Sequence, residues 1–253
     1  MPVLAVIPAR LGATRLPRKP LRLLGGEPLI VRVYERVVAL AVADHAVVAT
    51  DHPDVRDACT SRGIPVVLTR GDHPSGTDRV AEVAARPEFA AFDVILNVQG
   101  DEPFVSREAL AGAVQTVQRG LAPIGTAAVP AGVDVLPRPD VVKVVCTDDG
   151  RALYFSRASI PYLRESADVE QLAPRVRQHV GVYAYTRNAL EQWVAWPPHP
   201  LELIERLEQL RPLAHGLAIG VADVPHADGG IDTEDDLVRA NARWTTTEQE
   251  LPS

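Results

Sequence analysis

The sequence predicts an α/β protein: a mostly parallel sheet with helices between its strands, and an inserted antiparallel lobe. Three observations carry this. Short apolar, β-branched runs alternate with segments of helical period through the first half of the chain, the pattern of strand–helix–strand units. Near residue 130 the pattern changes to prolines and a hairpin signal. The length, 253 residues, suffices for one large core, since a chain of that size buries about three quarters of the surface it exposes unfolded.

The elements follow in order. Residues 3–7, 46–49, 66–68, 94–98, 124–129 and 141–145 are strand candidates. Residues 29–40, 55–62, 77–85 and 108–119 carry apolar side chains at helical spacing. Pro53 suits the first turn of a helix and Ser106 a cap. Residues 130–139 hold three prolines and read as a loop. Asp148-Asp149-Gly150, between the runs 141–145 and 152–155, is a hairpin signal. Residues 164–178 are polar and aperiodic, an excursion from the core. Residues 180–185 return as a strand, 201–210 read as one helix, 217–224 as a strand and 235–244 as the closing helix, with 245–253 frayed. Trp193 and Trp196 are expected to pack a helix. The expected organisation is a single domain over 1–253, with the inserted lobe at about 130–185.

Composition narrows the function. Hydrophobic residues make up 46% and charged residues 23%, as in a soluble globular protein. The net charge of −7 argues against nucleic acid as the main partner, although a locally basic site still attracts an anion. No apolar run approaches the ~20 residues needed to span a bilayer. Residues 3–7 are too short for the core of a signal peptide. Cys59 and Cys146 have no partners at metal-ligand spacing and read as reduced, buried thiols. These points favour a cytoplasmic protein without membrane or nucleic-acid partners.

Several segments can carry chemistry. The loop after the first strand holds Arg10, Arg15, Arg18 and Lys19. Ligands of open α/β sheets bind beyond the carboxyl ends of strands, and a triphosphate and its leaving pyrophosphate need such cations; the loop reads equally as a solvated basic surface. Asp101 and Glu102 follow the fourth strand, where carboxylates can hold magnesium on a triphosphate. Asp101 alone also fits a helix cap, as does Asp232 before the closing helix, with Asp235 and Asp236 facing solvent. The segment from Asp72 to Arg79 is small and polar, suited to reading a base or to a plain turn and helix cap. Arg157, His179 and Tyr183 stand beside strands. Neither G-x-x-x-x-G-K-[ST] nor G-x-G-x-x-G is present, which argues against a Walker-type ATPase and a dinucleotide dehydrogenase.

Taken in order, IPARLGATRLPRKPL, ATDHPDV, TRGDHPSGTDR, NVQGDEP, VKVV, ALYFSRASIP, HVGVYAY, PLELIERLEQLR and IDTEDDL resemble the motifs of the Kdo cytidylyltransferases, or CMP-Kdo synthetases, Kdo being 3-deoxy-manno-octulosonate. The likeness runs from Val3 to about Trp244. It implies the nucleotide-diphospho-sugar transferase fold, a Rossmann-like, mostly parallel sheet. Two places differ: Arg18 stands where the family usually has Gly, and Ile231-Asp232-Thr233-Glu234-Asp235 where it usually has Gly-Val-Asp-Thr-Pro-Glu-Asp.

The resemblance implies attack of the C2 hydroxyl of Kdo on the α-phosphorus of CTP, giving CMP-Kdo and pyrophosphate for lipopolysaccharide synthesis. It assigns the triphosphate to Arg10, Arg15 and Lys19, magnesium to Asp101 and Asp232, and cytidine to Ser75 and Gly76. It assigns the sugar acid to Gln99, Arg157, His179, Tyr183, Glu208 and Gln209. A homodimer is implied, with residues 130–180 the candidate interface. The alternatives are a cytidylyltransferase for 8-amino Kdo or a sialic-acid-like sugar, and a non-catalytic CTP-binding regulator. A regulator should have lost a metal carboxylate or the loop lysine, and this chain keeps Lys19, Asp101 and Asp232.

Overall fold

The computed structural model describes residues 1–12, 15–165 and 175–249, with 245–249 described by backbone alone. In chain order the elements are β1 (Val3–Ala9), β2 (Leu23–Leu24), β3 (Glu27–Pro28), α1 (Leu29–Ala39), β4 (His45–Thr50), α2 (Pro53–Thr60), β5 (Val66–Leu68), α3 (Gly76–Ala84), β6 (Val94–Asn97) and α4 (Arg107–Gln118). There follow β7 (Ile124–Pro130), β8 (Lys143–Cys146), β9 (Ala152–Ser156), β10 (Arg177–Thr186), α5 (Arg187–Ala195), α6 (Pro200–Glu205), α7 (Leu210–Ala214), β11 (Ile219–Asp223) and α8 (Glu234–Gln249). The class is mixed α/β, parallel strands joined by antiparallel ones, as the sequence predicts.

The described residues form two compact units. The amino-terminal unit comprises Pro2–Phe92, Asn97–Val105 and Asp228–Ser253. Its strands β1, β4 and β5 run parallel, Val6 opposite Val47 and Ala49 opposite Val67. Residues Leu4, Ala5, Val6 and Ile7 are fully buried, which is why β1 reads as a continuous apolar run and not as an alternating one. Helix α1 turns Leu29, Ile30, Val33 and Val37 inward. Pro53 opens α2 and Ser75 caps α3. The β2–β3 hairpin is too short to have left a periodic signal. It turns at Gly25 and Gly26, both at positive φ, and a Cβ at Gly25 would lie 2.3 Å from the Trp244 indole, so α8 seats against the turn.

The central unit comprises Met1, Asp93–Leu96 and Ser106–Ala227. Its strands follow the order β11-β7-β10-β6. Strand β7 pairs parallel with β11 and antiparallel with β10. The Asp148-Asp149-Gly150 turn joins β8 to β9 as an antiparallel hairpin, with Gly150 at φ 82. Helix α4, capped by Ser106 as expected, packs closely on β7: a Cβ at Gly125 would come within 2.1 Å of the Ala113 carbonyl.

Two helices differ most from the sequence reading. The helix expected over 201–210 is two helices, α6 and α7, because Arg206 leaves α6 in the left-handed region at φ 56. The buried Arg211 guanidinium then grips Glu202 through two bonds, 2.6 and 2.8 Å, and holds the pieces together. The closing helix α8 continues to Gln249, beyond the expected end and through part of the stretch read as frayed. The polar excursion over 164–178 lies mostly outside the described residues, and its last two residues belong to β10. Trp193 lies on α5, 1% exposed, whereas Trp196 follows that helix and stacks on His215.

Candidate active site

In the amino-terminal unit, three chain segments meet at the carboxyl end of β1. A Cβ on Gly100 would stand 2.7 Å from the Pro8 carbonyl oxygen, so only glycine lets the turn after β6 lie against the end of β1. A Cβ on Gly76 would meet the Pro8 ring at 3.6 Å, which puts the start of α3 on the same strand end. The loop before α8 is pinned to the first of these turns, Ile231 N–H donating to the Asp101 carbonyl at 2.9 Å.

This convergence assembles a charge cluster. Lys19, in a single 3-10 turn, donates from Nζ to Asp101 Oδ2 at 2.6 Å and to Asp232 Oδ1 at 2.7 Å. Arg15 donates to the other Asp232 oxygen at 2.9 Å. Burial alone would pull the Lys19 ammonium down, but the Asp101 and Asp232 carboxylates outweigh it and hold its pKa above the usual lysine value. Arg10, at the end of β1, is exposed. Glu102 follows Asp101, and burial together with the charges of Asp101 and Asp232 pushes its pKa up to about 8. Its place beside Asp101 in the sequence was the only signal for it.

The capping readings of the two aspartates do not hold. Asp101 lies in a turn, and Ser106 caps α4. At α8, Thr233 Oγ1 accepts from Asp236 N–H at 3.2 Å. Asp236, expected to face solvent, instead accepts from the N–H groups of Asp232 and Thr233 at 3.1 and 2.8 Å. Partial burial opposes ionisation, but these donors, with the Thr233 hydroxyl and the Arg239 charge, outweigh it and hold the carboxyl below the usual aspartate range. Asp235 is exposed, as expected. Both Asp101 and Asp232 carboxylates are thus left to charge chemistry.

The residues fit magnesium. Asp101 and Asp232 already converge on one cation, the Lys19 ammonium, and magnesium characteristically takes one or two carboxylates and completes its shell with phosphate and water. Among the described residues no three histidine, cysteine, aspartate or glutamate side chains form an all-protein metal cage. The Ser75 hydroxyl caps α3, accepting from Asp78 N–H at 3.2 Å and donating to Asp78 Oδ2 at 2.6 Å. Gly76 supplies the first backbone N–H of that helix.

The second group of predicted residues, apart from Gln99, belongs to the central unit. Gln99 is half-buried in the turn after β6. On β10 the pairing with β7 slips between Val180 and Tyr183. Residues four apart on a regular strand are separated by about 13 Å; here the His179 and Tyr183 rings stand 5.5 Å apart. Thr126 holds the bulge by donating to the Val182 carbonyl at 2.7 Å. With its one proton committed there, Thr126 Oγ1 accepts from His179 Nε2 at 3.0 Å, which leaves Nδ1 as an acceptor. Burial pulls His179 down to about 3, so the ring is neutral. Burial pushes the Tyr183 phenol well above its usual value, with the charges of Tyr185 and Glu208 adding to the effect. Gln209 is buried and Glu208 half-buried at the start of α7.

Arg157 is held by main-chain oxygens. Its Nε donates to the Glu205 carbonyl at 2.9 Å and Nη1 to the Pro139 carbonyl at 3.0 Å. The Glu205 carboxylate accepts from Arg157 N–H at 3.0 Å and from Ser156 Oγ at 2.6 Å. No carboxylate pairs with the Arg157 guanidinium among the described residues. Glu205, Thr126 and Lys143 escaped the sequence reading as site residues, because each acts through contacts that only the fold creates.

Comparison with known proteins adds the family context. The family model described as "Cytidylyltransferase" matches residues 4–219. A Gemmatimonas aurantiaca protein named 3-deoxy-manno-octulosonate cytidylyltransferase is 80% identical over 96% of this chain and 95% of its own. A Herminiimonas arsenicoxydans protein of the same name is 47% identical over 95% of this chain and 98% of its own. Among solved structures, CMP:2-keto-3-deoxy-manno-octonic acid synthetase complexed with CTP superposes with a TM-score of 0.89 at 36% identity, covering 99% of this chain and 100% of that one.

Proposed function

Since this chain belongs to the 3-deoxy-manno-octulosonate cytidylyltransferase family, we propose a division of labour among its residues for that family's reaction. The enzyme transfers CMP from CTP to Kdo. A bond forms between the C2 hydroxyl oxygen of Kdo and the α-phosphorus, the α–β phosphoanhydride bond breaks, and the hydroxyl proton passes to solvent. No protein nucleophile is required, so rate comes from in-line positioning and charge neutralisation.

The observation that carries the assignment is the convergence of Asp101 and Asp232 on one cation at the carboxyl end of β1. Those two carboxylates would hold magnesium, which would neutralise phosphate charge and acidify the attacking hydroxyl. Lys19, Arg10 and Arg15 bind the triphosphate, and Lys19 screens the pyrophosphate as it leaves. Ser75 and Gly76 set the start of α3 beside cytidine. Gln99, Arg157, His179, Tyr183, Glu208 and Gln209 receive the sugar acid. Arg157 takes the carboxylate, because a half-buried guanidinium bound only to neutral carbonyls favours an anionic ligand. The neutral His179 offers Nδ1 as an acceptor to a sugar hydroxyl.

The enzyme works in the cytoplasm and supplies activated sugar to lipopolysaccharide synthesis. No helix among the described residues is long and apolar enough to cross a membrane. It acts as a homodimer through the 130–180 region, where Leu153 and Tyr162 are 59% and 80% exposed. Sedimentation velocity tests this: a monomer at micromolar concentration rejects it. The activity test is pyrophosphate release with CTP, magnesium and Kdo, omitting each in turn. All three are required, and Lys19→Ala lowers kcat by about 10²–10³-fold, the range for losing one preorganised charge. Normal turnover in folded Lys19→Ala, or release without Kdo, overturns the reading.

A further inference from the structure

Lys143 is fully buried on β8. No carboxylate pairs with it among the described residues. Its three ammonium protons go instead to three main-chain carbonyls, those of Arg138 and Val141 at 2.8 Å each and of Arg157 at 2.6 Å. Burial pulls the ammonium below its usual pKa; Asp140 and Glu205 oppose this and the nearby Arg157 charge adds to it. Burying an ammonium without an ion-pair partner is costly, and an apolar side chain of similar volume is the cheaper filling of such a space.

What the ammonium achieves is a tie between segments. Pairing places Lys143 opposite Ser156 of β9 on one side and Gln178 of β10 on the other. Arg157 follows Ser156 and His179 follows Gln178, so the two neighbouring strands carry sugar-acid candidates one residue beyond the tie. The loop carbonyls of Arg138 and Val141 flank Pro139, whose own carbonyl receives Arg157 Nη1 at 3.0 Å. Lys143 therefore holds both the backbone of Arg157 and the loop that orients its guanidinium. The Arg157 Nη2 group has no partner among the described residues.

We propose that Lys143 is a positioning residue for the sugar-acid substrate: it locks Arg157 and the 138–141 loop so that the guanidinium presents its open edge to the substrate carboxylate. The proposal rests on the reading of Arg157 given above. The inference predicts a selective effect on one substrate, which a purely structural role would not produce.

The test is steady-state kinetics on wild type, Arg157→Lys, Lys143→Met, Lys143→Gln and the Arg157→Lys/Lys143→Gln double variant, with thermal melts alongside. The glutamine variant keeps two donors and carries the test if the methionine variant does not fold. Expected is a rise of about tenfold or more in KM for Kdo in Arg157→Lys and in each folded Lys143 variant, with KM for CTP within about twofold of wild type. The double variant loses no more than the worse single variant, since the two act as one unit. A raised KM in Arg157→Lys with unchanged KM in Lys143→Gln overturns the positioning role. An unchanged KM in Arg157→Lys overturns the reading of Arg157 itself. Failure of both Lys143 variants to fold assigns the residue to stability and also overturns the inference.

Discussion

Asp101 and Asp232 are 131 positions apart (232 − 101), and in the fold they share one ammonium. Their helix-cap alternatives fail because Ser106 and Thr233 do the capping. Asp→Asn should therefore cost turnover and leave stability nearly unchanged. In a magnesium titration of initial rate, Asp101→Asn and Asp232→Asn each need more metal and lose most activity at saturating CTP. The double variant loses far less than the product of the single losses. A wild-type titration curve for either single variant removes that residue from the metal site. His179 yields a second test. Its pKa is depressed by burial to about 3, from 6.5. Unfolding lets the ring take up a proton, so the stability of the neutral ring is complete above pH 6.5 and is lost as pH falls towards 3. Between pH 7 and pH 4 the wild-type melting temperature should fall more than that of His179→Asn, by roughly a few degrees. Parallel curves would show that the ring is not shielded.

Among the elements, the basic loop carries the clearest conflict between residue and backbone. Arg18 sits at φ 57, ψ 30, in the left-handed region, where a side chain costs about 1–2 kcal/mol and glycine almost nothing. That accounts physically for the glycine that resembling sequences usually have there. Here Arg18 instead reaches Asp54 at 2.6 Å, a solvent-exposed pair of little energetic weight. Arg18→Gly should raise stability by about 1 kcal/mol or somewhat less, with KM for CTP unchanged. A lower melting temperature would mean that the ion pair outweighs the backbone strain. The α6–α7 break shows the opposite limit of local reading. Residues 201–210 keep a helical apolar period throughout, and nothing in that period reveals that Arg206 will adopt φ 56. The long-range Glu202–Arg211 pair, each partner almost fully buried, selects two short helices over one. The β10 bulge is of the same kind: the run of apolar and aromatic residues shows a strand, while the slip that brings His179 to Tyr183 depends on Thr126 of β7.

At the scale of the molecule, the residues proposed for the triphosphate and magnesium belong to the amino-terminal unit, and all those proposed for the sugar acid except Gln99 to the central unit. Variants should sort accordingly: Lys19, Asp101 and Asp232 changes act on CTP and magnesium, Arg157 and Lys143 changes on Kdo. CTP should be the preferred donor, with UTP poorer and ATP excluded by size at the start of α3. Turnover with ATP equal to that with CTP, in a competition assay of donor triphosphates, would reject the 72–79 segment as the base-reading element.

The sequence by itself determined the fold class, nearly every strand, the hairpin at Gly150, the helix start at Pro53, the cap at Ser106, and the family. These depend on periodicity, turn chemistry and motif order, which are local or simply additive along the chain. The resemblance already joined Asp101 to Asp232; only the tertiary structure decided that Lys19 bonds to both and that neither aspartate caps a helix. Asp101 and Asp232 read as plausible caps until Ser106 and Thr233 occupy those positions, and Lys19 reads as a loop cation until Gly100 lets the β6 turn close on Pro8. Lys143 and Thr126 gain their roles from main-chain oxygens, and Glu205 from the Arg157 N–H and the Ser156 hydroxyl. The reason is physical: a backbone carbonyl is present at every residue and leaves no mark in the sequence, so its use as an anchor appears only when folding brings a distant donor to it.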